Sequence, residues 1–69
     1  MSGIVVVANG KQRAAKDGSS VADFLRDLNL ACAQVVVEYN GEPLERERFE
    51  RTPLQPGDRI EIAQMVGGG

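Results

Sequence analysis

Three consecutive glycines, Gly67-Gly68-Gly69, end the sequence directly after a run that reads as a β-strand, Arg59 to Val66. The group they present is a carboxylate with no side chain near it. Glycine lacks a Cβ, so such a tail can extend, turn and enter a channel too narrow for any other residue. A glycine run is costly to order and cannot build a core. The reading is a flexible working tail over 67–69, with Gly69 as the reacting residue and Gly67 and Gly68 as the arm. Met65 and Val66, at its root, are candidates for docking a partner or for strand-end core. The competing reading is an inert frayed end.

The remaining residues offer little other chemistry. There is no histidine and one cysteine, so Ser-His and Cys-His pairs and an imidazole base are excluded. One thiol cannot form an internal disulfide, and a structural zinc or iron–sulfur site needs several ligands. Cys32 reads as a small packing residue between helix and strand, since nothing cationic lies beside it in sequence to activate it. The expectation is a carried substrate with no catalytic residues and no metal. A net charge of −2 and a pI near 4.9 argue against nucleic acid, because phosphate binding needs clustered Lys and Arg. The only dense charge run, Glu42 to Arg51, alternates in sign and reads as a solvated loop. No stretch approaches the roughly 20 apolar residues that cross a membrane, and the start lacks the pattern of a signal peptide. A small domain without disulfides suggests a reducing compartment. These features together give a cytoplasmic, monomeric expectation.

At 69 residues the chain has room for one domain, read as 1–66 with the tail beyond it. Ile4–Ala8 is a β-branched run ending at Asn9-Gly10, the preferred pair for a two-residue hairpin turn. The return strand, Lys11 to Ala15, is polar enough for an edge. Ser20 is a candidate N-cap, with Ser19 as a competitor. Val21, Phe24, Leu25 and Leu28 then form one helical face, and Asn29 stands at the C-cap. Val35–Tyr39 is a third strand, closed by Asn40-Gly41, with the Tyr39 hydroxyl expected in water. Leu44, Phe49 and Leu54 are expected to point inward from the charged segment. Gln55-Pro56-Gly57-Asp58 reads as a type II turn, and Ile60 and Ile62 share one face of the last strand. A helix crossover lets the first and last strands pair in parallel. The fold class is α+β: a ubiquitin-like β-grasp, a mixed four- to five-stranded sheet with one helix across one face.

Several segments carry a family resemblance over nearly the whole chain. The Asn9-Gly10 hairpin, the helix ending Leu28-Asn29-Leu30, Val-Val-Val-Glu-x-Asn-Gly-Glu at 35–42, Leu-x-Pro-Gly-Asp-Arg-Ile-Glu-Ile at 54–62 and the terminal Gly-Gly together resemble the ThiS family of thiamine-biosynthesis sulfur carriers. A C-terminal carboxylate, with a pKa of about 3.3–3.7, is ionised at neutral pH and is a poor electrophile. Sulfur can attack it only after a better leaving group is installed. The resemblance implies that an E1-like, ThiF-like enzyme supplies that group by transferring AMP from ATP to Gly69. Sulfur from a cysteine desulfurase then displaces AMP, and a ThiG-like thiazole synthase takes it from the resulting thiocarboxylate. The runner-up is the small subunit of molybdopterin synthase, with the same terminal chemistry; Gln64-Met65-Val66 before the glycines favours the thiamine branch. A ubiquitin-like protein modifier and a plain interaction domain are the further alternatives.

Overall fold

Two Asn-Gly pairs set out the sheet. Asn9 and Gly10 have φ of 51° and 81°, and Asn40 and Gly41 have 52° and 88°, the left-handed pair that a type I′ turn requires. The first joins β1 (Gly3–Ala8) to β2 (Lys11–Lys16), and the second joins β3 (Val35–Tyr39) to β4 (Glu42–Leu44). β5 (Arg59–Gln64) enters between the hairpins, giving the order β2-β1-β5-β3-β4 in a five-stranded sheet. It runs parallel to β1 and antiparallel to β3. This is the β-grasp sheet. The computed structural model describes residues 3–65, so the expectations for Val66, Gly67, Gly68 and Gly69 fall outside the described residues.

Strand alternation gives the sheet one wet and one dry face. Ile4, Val6 and Ala8 of β1, Val35 and Val37 of β3 and Ile60 of β5 are buried, while Val5 and Val36 between them are half exposed. The helix α1 (Val21–Asp27) covers the dry face with Val21, Ala22, Phe24 and Leu25. Ser20 caps it: Asp23 N–H donates to the Ser20 hydroxyl at 3.1 Å, and Ser20 N–H donates to the Asp23 carboxylate at 3.0 Å. This reciprocal pair satisfies two orphan donors, with Asp standing where Glu is usual. The Ser20 N–H holds the Asp23 carboxyl below the usual carboxylate range. Asn29, at φ 62°, ends the helix. Its N–H donates to Arg26 C=O and Leu30 N–H donates to Leu25 C=O, both at 2.9 Å, a Schellman closure.

Two expectations need correction, and two 3₁₀ segments were not foreseen. Ser19 does not compete for the cap, because its hydroxyl donates to Lys16 C=O at 2.6 Å. The last strand ends at Gln64, short of Val66. A 3₁₀ turn at Cys32–Gln34 precedes β3. Most consequentially, the charged segment, solvated at its charged residues and turned inward at Phe49 and Leu54 as expected, is not a loop throughout. After β4 it forms a 3₁₀ helix, Arg46–Arg51, that inserts Phe49 into the core beside Leu54. Arg46 fastens this helix by donating to the carbonyls of Cys32 and Ala33 at 3.2 and 3.4 Å. Arg26 of α1 also pairs with Glu50. Cys32 packs half-buried against the core as expected.

Phe49 is among the largest fully buried side chains, and a Phe-to-Ala truncation in a core costs about 3–5 kcal/mol. A chain of this size has a total stability of roughly 3–10 kcal/mol. Phe49→Ala should therefore remove most of the folding free energy and shift the urea midpoint sharply downward, read by far-UV circular dichroism. A midpoint within error of wild type would show that the 3₁₀ helix is not part of the core.

Candidate functional site

The tail follows β5, so the site begins with what holds β5. Being central, the strand is paired on both sides, but β1 reaches only Arg59 and Ile60 in register. The Asn9 side chain takes over where β1 turns away. Its Oδ1 accepts from Ile62 N–H at 2.7 Å and its Nδ2 donates to Ile62 C=O at 3.1 Å, mimicking one more step of a strand ladder. Asn40 does the matching work at the other end, accepting from Arg59 N–H at 2.9 Å. Each Asn thus serves twice, tolerating the left-handed turn and clamping the central strand.

Asp58, just before β5, is the buried hub of this arrangement. Its carboxylate accepts from Tyr39 Oη, from Asn40 Nδ2 at 3.2 Å and from Gln55 N–H at 2.8 Å. The last bond braces the type II turn, which Asp58 N–H closes by donating to Gln55 C=O at 3.1 Å and in which Gly57 has φ 84°. Tyr39 lies opposite Ile60 in the β3–β5 register, which brings its hydroxyl to Asp58 rather than to water, against expectation. Burial, then the hydrogen bond to Asp58 and its negative charge, push the phenol up to about 12.

Met65 continues from β5 with its N–H donating to Gln34 C=O at 2.9 Å and its side chain half exposed. It is therefore not strand-end core. The half-exposed Val5 and Val36 alternate with buried neighbours and so lie on the outer sheet face, Val36 near the Met65 end of β5 and Val5 level with Gly57, just before its start. The apolar runs Ile4–Ala8 and Val35–Val37 show no alternation in sequence that could have singled them out. Glu38 and Glu61 stand opposite each other on that same face. Among the described residues, no group of His, Cys, Asp and Glu is placed to hold a metal ion, and no helix is long and apolar enough to cross a membrane.

The geometry matches a known family. The ThiS family model aligns with residues 6–69. The chain belongs to the ThiS family. It is 39% identical over 62 residues to the sulfur carrier protein ThiS of Bacillus subtilis (strain 168), covering 88% of this chain and 94% of that protein. A crystal structure of the thiamine biosynthesis protein ThiS from Geobacter metallireducens superposes with a TM-score of 0.80 at 36% identity, covering 96% of this chain and all of that one. The thiazole synthase of Paramagnetospirillum magneticum (strain ATCC 700264 / AMB-1) is 30% identical over 64 residues, 93% of this ThiS-family chain but 20% of that protein.

Tyr39 is the sole tyrosine, so its titration can be read directly by absorbance near 295 nm. In the folded chain the phenol should ionise near 12, and in denaturant near the ordinary value of about 10. The folded pKa is the higher one, so this group's contribution to stability is complete below about pH 10 and lost as pH rises towards 12. Asp58→Ala should bring the folded midpoint down towards 10. It should also destabilise by about 1–3 kcal/mol, by stranding the three donors. A folded-state midpoint of 10 in wild type would contradict the arrangement.

Proposed function

We propose that this chain is a sulfur carrier in thiamine biosynthesis and that its working atom is the Gly69 carboxyl carbon. The observation that carries the reading is the family match, which runs through the terminal glycines. In this reading the chain is a carried substrate. An E1-like adenylating enzyme, ThiF-like, joins the Gly69 carboxylate to AMP from ATP and releases pyrophosphate. Sulfur derived from a cysteine desulfurase displaces AMP and leaves a thiocarboxylate. A ThiG-like thiazole synthase then takes that sulfur. The similarity between this chain and one-fifth of a thiazole synthase supports the last partner.

Physical demands on the body follow. Ordering the three glycines inside a partner costs on the order of 3–6 kcal/mol, at about 1–2 kcal/mol per residue. Backbone hydrogen bonds in the channel offset part of this, and docking of the body supplies the rest. Met65 and Val66 are the proposed root of that docking surface. Val36, opposite Ala63 in the β3–β5 register, extends it across the outer face, since a half-exposed apolar side chain on an uncovered sheet is what a partner can dehydrate with gain.

Intact-mass spectrometry after incubation with the adenylating enzyme, ATP and a sulfur source provides the test. Wild type should gain the mass difference of one oxygen replaced by sulfur, and a variant lacking Gly69 should not. An unshifted wild-type mass, with an enzyme shown to be active on another carrier, would overturn the proposal.

A further inference from the structure

On the dry side of the sheet a cleft opens where α1 stops short of the ends of β1, β2 and β5. Leu28, Leu30 and Ile62 form its floor, each partly buried against the core. Its only charged lining residues are two cations, Lys11 and Arg13. Both point to this side because they lie opposite the buried Ala8 and Val6 in the β1–β2 register. Both are exposed, and among the described residues neither makes an ion pair; the ion pairs present all involve Arg26. In a chain of net charge −2, an unpaired cation pair beside an apolar floor is a local reversal of sign.

The third wall is a strand edge. Met65 N–H and Asn40 N–H pair across β3 and β5 with Gln34 and Arg59. By the alternation of an antiparallel ladder, the main-chain groups of Gln64 therefore face the other way, towards β1. β1 has ended by then, and Asn9 reaches only Ile62. Among the described residues no strand pairs with the edge beside Gln64, and an incoming extended segment would gain main-chain hydrogen bonds there. Gln64 also lines the cleft, one residue before Met65. A protein that encloses the tail meets this cleft.

We infer that the cleft docks an extended segment of the tail-receiving adenylating partner, one that presents acidic side chains to Lys11 and Arg13 and an apolar one to Leu28, Leu30 and Ile62. The identity of that partner rests on the sulfur-carrier reading; the chemistry of the segment rests on the cleft. Protection of the β2 edge by charge accounts for cations on β2, but not for the apolar floor or the open β5 edge beside them.

The test compares wild type with the double variant K11E/R13E in titration calorimetry against the ThiF-like enzyme, alongside carrier-dependent ATP–pyrophosphate exchange. Both substitutions lie on an exposed edge strand, and an unchanged urea midpoint checks the fold. Reversing two charges that complement acidic groups should weaken Kd and raise the carrier's KM at least tenfold at low salt, with kcat within about twofold. The gap between the proteins should narrow in roughly 0.5 M NaCl, where charges are screened over a few ångströms. K11Q/R13Q should fall between them. Equal Kd for wild type and K11E/R13E would overturn the inference. A wild type that binds without supporting exchange would instead remove the sulfur-carrier reading, and the comparison of Kd values would still decide the docking.

Discussion

Everything in this small domain depends on β5 being held from both sides while its end runs free of its parallel neighbour. A strand that presents its C-terminal continuation to another protein takes the load of that encounter. An edge strand could peel away at small cost, because only one ladder would break. A central strand between a parallel and an antiparallel neighbour can leave only by splitting the sheet. The cost of centrality is that β1 and β5, being parallel, share few register pairs before β1 must turn. The side chains of Asn9 and Asn40 make good that shortage by bonding β5 at Ile62 and Arg59.

The same constraint explains why so much polar chemistry is spent at one spot. Asp58 is buried, and a buried carboxylate is tolerable only when its oxygens are satisfied. Here it accepts from a turn amide, a hairpin Asn and the Tyr39 phenol. One residue thus couples the turn that starts β5, the hairpin that ends β3 and the strand between them. The network is structural, and it fixes where β5 begins. Phe49 supplies the apolar counterpart, closing a core that one short helix could not cover alone.

Much of this was legible in the sequence because local rules agreed with each other. The two Asn-Gly pairs, the Ser20 start, the Asn29 stop and the Pro-Gly turn each name a backbone conformation that few other residues favour. Between them the alternation of Ile4, Val6 and Ala8 needed only a partner face. What escaped were features set by tertiary placement. The 3₁₀ helix at Arg46–Arg51 carries one buried side chain among alternating charges, so no periodicity announces it. The bond from Tyr39 to Asp58 depends on the β3–β5 register, which links residues 19 apart. The outward direction of Val5 and Val36 was not legible because an unbroken β-branched run does not say which face is covered. The sheet has a layer on only one.

That one-sidedness bears on how a tail-presenting body can be recognised. With a helix on one face and none on the other, the end of β5 separates two unlike surfaces. On the outer side the half-exposed Val36 lies beside the facing pair Glu38 and Glu61, with half-exposed Met65 just beyond the end of β5. On the inner side Lys11 and Arg13 stand over Leu28, Leu30 and Ile62. Like charges placed directly across strands are unfavourable by a few tenths of a kcal/mol, and exposed Val costs solubility. Neither is explained by the stability of the sheet. Opposite signs on the two sides of one strand end give a partner an orientation to read: a protein whose groove is basic on one wall and acidic on the other fits β5 in one sense and repels it in the reverse. Steering of this kind sets the register of an encounter before closer contacts form.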